Sequence, residues 1–159
     1  MLAAVAALAA FAPAGLERLW TLSGPADLGP ATFETLERRA TPNDALACPP
    51  DVCRAASDVT PSLFAVSAEE LRRTLARVIA SETDVIQVDA APLAERYVQR
   101  TRWLRFPDTI AVRYFPRGEG RSTIALYSRS QLGEGDLGVN RARITRWLDK
   151  LVHEAPLAR

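Results

Sequence analysis

The chain has 159 residues, of which 48% are hydrophobic, and its 20 basic and 19 acidic side chains leave a net charge of +1. This length fits one domain with an extension, and the hydrophobic content is high enough for a sizeable core, which excludes a disordered chain. The balanced charge argues against the basic stripe that is typical of nucleic-acid binding, so no nucleic-acid partner is expected. Because His153 is the single histidine, a histidine-rich metal site is excluded, and no cofactor is expected.

Residues 1–22 form an apolar N-terminal segment. An unbroken apolar run follows Met1 and is shorter than the ~20 residues that a membrane-spanning helix needs. Its length matches the apolar part of a secretion signal, and Ala12 to Gly15 resemble a small-residue cleavage site, although no Lys or Arg precedes the run. The export pattern favours a signal or an uncleaved anchor. A short helix that docks on a membrane or a partner and an ordinary buried helix remain alternatives.

Two stretches with several prolines follow this segment. Residues 23–40 are predicted to be a linker, because Gly24 to Pro30 contain two prolines and two glycines. The segment from Ala40 to Pro61 is predicted to be ordered but irregular, since prolines at positions 42, 49 and 50 oppose regular structure.

Cys48 and Cys53 are the two cysteines of the chain. In an exported protein such a pair predicts a disulfide that closes a tight loop, and Pro49 and Pro50 would preset the bend. Two reduced thiols in a cytosolic protein are the alternative. A metal site is disfavoured, because two thiolates leave two ligands unnamed and the histidine is remote in sequence.

A helix is predicted from Ala68 to Ala80, because Ser67 and Glu70 have the spacing of a capping box and apolar residues then recur at helical spacing. Four strand candidates follow, over residues 84–89, 94–102, 109–115 and 122–130. Asn140 is predicted to cap a last helix. Residues 41–155 are therefore predicted to be one α+β domain. Its antiparallel sheet has about four strands with two helices on one face, and an apolar N-terminal helix precedes it.

Three motifs resemble a known family. They are Cys48-Pro-Pro-Asp-Val-Cys53, Phe106-Pro-Asp108, and the run from Ser128 to Ile144, which contains Asp-Leu-Gly-Val-Asn-Arg-Ala-Arg-Ile. Over roughly residues 41–151 the chain is similar to the family called domain of unknown function 1499. Members of that family are bacterial envelope proteins, often with an apolar N-terminus, and plastid proteins of plants. The resemblance implies a location on the periplasmic side of the cell envelope, exported or membrane-anchored, and it implies no reaction.

Polar side chains gather where the last predicted strand meets the last predicted helix. A ligand site is one interpretation, because helix N-termini favour negative ligands. Its candidate residues are Arg100, Arg129, Ser130, Asp136, Asn140 and Arg141, and Arg143 belongs to the same anion-site interpretation. A structural cluster is the other interpretation, because ion-pair networks produce the same pattern. In that case Asp136 locks the loop, with Arg129 or Arg141 as its partner.

The sequence favours a non-catalytic module near a membrane, because no base evident in the sequence accompanies the serines of this join, and no nucleophile elbow or phosphate loop occurs. The N-terminal segment is expected to contact a membrane or a membrane-protein partner. An amphipathic molecule is expected on the sheet face that carries Arg113, Tyr127 and Arg129. The alternative is an enzyme of unknown reaction that uses Asp136, Ser130 and the neighbouring arginines.

Overall fold

A computed structural model describes residues 13–23 and 27–158, and its class is α+β, as the sequence predicts. The described helices are α1 (Pro13–Ser23), α2 (Ala68–Ala80) and α3 (Val139–Glu154), and a 3-10 turn spans Phe33–Thr35. The described strands are β1 (Asp44–Ala47), β2 (Val85–Ala91), β3 (Ala94–Arg100), β4 (Pro107–Pro116) and β5 (Ser122–Ser130).

The five described strands form one antiparallel sheet in the order β1-β5-β4-β3-β2. The four strands that the sequence predicts are all present, and β1 is an additional edge strand that places Leu46 opposite Tyr127 of β5. It lies inside the segment predicted to be irregular. Pro42 and Pro49 lie on either side of β1 and not within it, so the strand keeps all of its N–H groups for pairing.

The helix α2 begins and ends at the predicted residues, and the Ser67 hydroxyl accepts a hydrogen bond from the Glu70 N–H at 3.2 Å. The start of α3 differs from the prediction. The sequence indicates Asn140 as the cap, whereas Gly138 occupies the cap position with φ of 79° and Asn140 lies inside the helix with a buried side chain. The cap prediction is wrong because the Asn140 side chain bonds to the sheet instead.

The two faces of the sheet are covered by different parts of the chain. The helices α2 and α3 pack on one face, around Trp147, Tyr114 and Phe64. The other face is covered by residues 27–39, here called the covering segment, and by the loop around the two cysteines. Cys48 and Cys53 are joined by a disulfide, as predicted.

Three arginines of the sheet hold the covering segment in place. Arg129 donates to the carbonyl oxygens of Leu28 and Gly29, both at 2.8 Å, and Arg113 and Arg96 pair with acidic residues of the segment. The segment lies within residues 23–40, which the sequence indicates as a linker. The sheet face on which the sequence predicts an amphipathic molecule is therefore covered by the chain itself.

The helix α1 is mixed in character, with Glu17 and Arg18 among its apolar residues. It docks through Trp20, whose ring lies 4.7 Å from the ring of Phe106 and whose indole N–H donates to the Leu104 carbonyl at 2.7 Å. The apolar run that the sequence predicts as a helix lies mostly in residues 1–12, outside the described residues. Within the described ranges, no helix is long and apolar enough to cross a membrane.

Candidate functional site

Two loops meet at one end of the sheet. Residues 101–106 connect β3 to β4, and residues 131–138 connect β5 to α3. They are neighbours because β4 and β5 pair in a register that places Asp108 opposite Ser130. Polar residues at the start of one strand and the end of the other therefore lie side by side.

A cavity of about 450 Å³ lies between these loops, and it is called the loop cavity here. Its walls are mainly apolar and include Trp103, Leu104, Phe106, Leu132, Leu137 and Val139. Its polar lining includes Asp108, Ser130 and Asp136, which together are called the polar floor. A mainly apolar concavity with a few convergent polar groups is the usual form of a small-molecule site.

Arg143 of α3 is the centre of a buried polar network behind this floor. Its guanidinium donates to Asp108 at 2.6 Å, to the Ser128 hydroxyl at 2.8 Å and to the Asn140 side-chain carbonyl at 2.7 Å. It also donates to the side chain of Gln99 on β3. The Arg143 and Asp108 side chains are almost fully buried, so the positive charge and the carboxylate compensate each other in a medium that would penalise either alone.

Asn140 joins this network to β5 and to the residue that precedes β1. Its side-chain amide donates to the Ser130 hydroxyl at 3.0 Å and to the Asn43 carbonyl at 3.1 Å, and its side-chain carbonyl accepts from Ser128 at 2.6 Å. Asn43 in turn donates to the Gly133 carbonyl at 2.6 Å. The last helix, the strand β5 and the loop are therefore held by one set of hydrogen bonds.

Asp136 binds the first turn of α3 directly. One carboxylate oxygen accepts from the Gly138 N–H and the other from the Asn140 N–H, each at 2.9 Å. The loop lock predicted for Asp136 is present, but its donors are backbone N–H groups and not the guanidinium of Arg129 or Arg141. The helix N-terminus, which attracts anions, holds a carboxylate of the chain itself.

The predicted site residues separate into two groups. Ser130 and Asp136 line the loop cavity and Asn140 is hydrogen-bonded to both, whereas the three arginines lie elsewhere. Arg129 lies on the opposite sheet face, where burial lowers its pKa and its guanidinium stacks 5.4 Å from the centre of the Tyr127 ring. Arg100 lies 3.7 Å from Glu17 of α1. Arg141 is exposed along a shallow groove on the outer side of α3.

The sequence indicates Arg143 as part of the polar run at this join, but it does not indicate that Asp108, Gln99 and Asn43 belong to the site. Arg143 lies three residues after Asn140 and therefore shares the helix face of Asn140. Asp108 belongs to the Phe-Pro-Asp motif, but its meeting with Arg143 depends on the register of β4 and β5. Asn43 precedes β1, which the sequence did not reveal.

The polar floor offers hydrogen-bond acceptors whose charge is already compensated inside the protein. Asp108 is paired with Arg143, and Asp136 accepts from two N–H groups at a helix N-terminus. Such a floor can orient a polar group of a ligand while the apolar walls contact the remainder. Among the residues that the structure describes, no group of three or more His, Cys, Asp or Glu side chains is placed to hold a metal ion.

Comparison with known families agrees with the motifs at this site. The model of the family described as "Protein of unknown function (DUF1499)" matches residues 36–151, which include the disulfide, both loops and the Arg143 network. No curated protein matches the chain. Since the match covers well over half of the sequence, the chain belongs to the DUF1499 family of proteins of unknown function.

Proposed function

We propose that this protein is a non-catalytic binding module of the cell envelope that holds an amphipathic molecule in the loop cavity. The observation that carries the proposal is the cavity of about 450 Å³, with apolar walls and a polar floor. Its volume lies within the range of roughly 300–1,000 Å³ that is common for small-molecule sites. A molecule with an apolar body and a polar end could contact the walls with its body and the polar floor with its end.

Binding is favoured over catalysis because the polar groups of the floor already have partners within the protein. The two oxygens of Asp136 accept from backbone N–H groups, and the Ser130 hydroxyl accepts from Asn140. Asp108, which lies opposite Ser130, is paired with Arg143. A nucleophile needs a neighbouring base that is free to take its proton, and these carboxylates are engaged in holding the fold. An enzyme that uses Asp136, Ser130 and nearby arginines is the weaker alternative.

A neutral fluorescent probe, N-phenyl-1-naphthylamine, tests the cavity without any membrane. We expect saturable binding at one site and displacement of the probe by 1-monolauroylglycerol. Leu132→Glu places a charge in the cavity wall and should weaken probe binding about tenfold or more. Ile86→Glu on β2 is the control, because Ile86 is an exposed apolar residue outside the cavity.

The proposal is contradicted if the probe does not bind saturably. It is also contradicted if Leu132→Glu, shown to be folded by its circular dichroism and melting temperature, binds the probe as the parent does. Turnover of an ester or a phosphate compound that is lost in Asp136→Asn or Ser130→Ala would support the enzyme alternative.

An envelope location is the second part of the proposal. It is supported by the apolar N-terminal sequence and by the Cys48–Cys53 disulfide, since disulfides persist mainly in oxidising compartments. A membrane or a membrane-protein partner would be contacted by the N-terminal segment. Thiol labelling of fractionated cells tests this, with the chain expected in the envelope fraction without free thiols. Recovery of the intact chain in the cytosol with two free thiols would contradict it.

A further inference from the structure

Large apolar side chains surround the mouth of the loop cavity and point into solvent. Trp103 is 80% exposed, Leu137 is fully exposed, and Leu104 and Val139 are also exposed. These four residues are called the apolar rim here, and they come from the first loop, the second loop and the first residue of α3. Single exposed apolar residues are ordinary, but a cluster around one opening marks an interaction surface.

The chain adopts an uncommon backbone conformation to present one member of this rim. Leu137 has φ of 53°, in the left-handed region that non-glycine residues seldom adopt. The residues on both sides hold it there, because the Asp136 carboxylate accepts from the Gly138 N–H at 2.9 Å and Gly138 itself has φ of 79°. A strained residue that gains no burial suggests that its exposed side chain has a function.

The composition of the rim fits a lipid surface. The guanidinium of Arg102 lies 5.3 Å from the centre of the Trp103 ring, so an aromatic and a cationic group are presented together. Trp is enriched at membrane–water interfaces, where long basic side chains can reach the head groups while their stems stay in apolar surroundings.

The neighbouring helix extends this apolar character. Trp20 of α1 packs on Phe106 and bonds to the Leu104 carbonyl, so α1 lies beside the rim. The sequence that precedes α1 is the apolar run that begins at Leu2. A membrane-associated N-terminal segment would therefore reach the protein next to the rim.

We propose that the apolar rim inserts into the interfacial region of a lipid bilayer and thereby places the mouth of the loop cavity at the membrane. Insertion of these side chains removes apolar area from water, which is the main source of interfacial binding. This inference goes beyond the binding of an amphipathic molecule, because the rim can dock on a bilayer whether or not the cavity is occupied.

Fluorescence quenching by vesicles tests the insertion of Trp103 in the full chain. The probe is a phosphatidylcholine vesicle whose acyl chains carry bromine, which quenches tryptophan at close range. The parent should bind the vesicles and lose tryptophan emission. Trp103→Phe should still bind but show less quenching than the parent, and the difference is the quenching of Trp103. Vesicle binding should persist in about 0.5 M NaCl, because apolar insertion is not screened by salt. A vesicle-bound parent with unquenched Trp103, binding that salt abolishes, or no binding would overturn the proposal.

A matched pair of double variants tests the rim itself. Trp103→Ser with Leu137→Asn removes two rim side chains, and Asn tolerates the backbone conformation at position 137. Ile86→Ser with Val88→Ser removes two exposed apolar side chains from the edge strand β2 as the control. The rim variant should bind vesicles about tenfold more weakly than the control. Equal vesicle binding by both variants would overturn the proposal. Binding of the fluorescent probe in the absence of vesicles reports separately on the cavity.

Discussion

Asp136 is the residue on which the geometry of the cavity loop depends. Its carboxylate satisfies two N–H groups at the start of α3, one of which belongs to Asn140 in the buried network. The loop also contains Leu137 and Gly138 with positive φ, so its conformation is costly to hold without these bonds. Asp136 thus connects a local capping interaction to the shape of the loop cavity.

Replacement of Asp136 should destabilise the protein in a graded way. Asp136→Ala leaves two N–H groups without their acceptor and should lower the free energy of unfolding by about 1–2 kcal/mol. Asp136→Asn keeps one acceptor oxygen and should recover part of the loss. Urea unfolding measures both, and Glu134→Ala, which removes an exposed acid from the same loop, is the control. An Asp136→Ala variant as stable as Glu134→Ala would show that the carboxylate does not hold the loop.

Arg143 should be more costly to replace than Asp136, because it is buried with its partner. Arg143→Met leaves the Asp108 carboxylate without its counter-charge in the interior and should cost about 3–5 kcal/mol. Adding Asp108→Asn removes the uncompensated charge and should restore part of the stability. Chemical unfolding of the single and double variants provides the measurement. If Asp108→Asn lowers the free energy of unfolding as much in the Arg143→Met variant as it does in the parent, the two side chains are not coupled.

At the scale of elements, α2 and α3 are joined by one acidic residue that follows α2. Glu82 lies 2.7 Å from Arg146 and 2.6 Å from Lys150, both on α3. Burial opposes ionisation of Glu82, but the hydrogen bonds from the two basic residues prevail and lower its pKa to about 2. The carboxylate is thus held in its charged form between the helices.

This shift predicts how the stability depends on pH. The folded-state pKa of Glu82 lies below the ordinary value of 4.5, so its contribution is present above that pH and is lost as the pH falls towards 2. At about pH 6, Glu82→Gln should lower the free energy of unfolding by ~1–2 kcal/mol, since solvent screens the half-exposed partners. The difference from the parent should shrink towards pH 2. A difference that is constant over this range would show that the ion pairs contribute nothing.

The elements encoded by local sequence were predictable, and those that depend on distant partners were not. The helix α2 has its capping serine and apolar periodicity within a few residues, and β5 has its alternation, so the bounds of both elements are confirmed. The strand β1 has four residues and exists because β5 offers a free edge about eighty positions later in the chain. No local pattern reports such a partner.

The same reasoning explains which site residues the sequence brought together correctly. Ser130, Asp136 and Asn140 are near one another in the chain, and one loop suffices to join them. Arg129 precedes Ser130 on a strand, so alternation sends its side chain to the opposite face. Arg129 therefore lies away from the join, on the sheet face that its alternation with Ser130 indicates. Asp108 and Asn43 required the strand register and the extra strand.

At the scale of the whole molecule, the features that suggest function lie at one end of the sheet. The loop cavity, its polar floor and the apolar rim are built from the loops after β3 and β5, the adjoining ends of β4 and β5, and the start of α3, and α1 docks beside them. The sheet face opposite α2 and α3 is filled by the covering segment, which is held there by ion pairs and by the burial of Phe33. The mainly apolar cavity therefore lies at the loops, whereas that sheet face is closed by the chain itself.

Binding at the loop cavity can be followed residue by residue when the full chain is titrated with 1-monolauroylglycerol, below its micelle concentration, and observed by NMR. If the ligand enters the cavity, the backbone amides of residues 101–108 and 130–139 shift saturably, and those of β2 and the covering segment stay unchanged. Shifts that map to the covering segment, or that spread evenly over the surface without saturation, would contradict binding at the loop cavity.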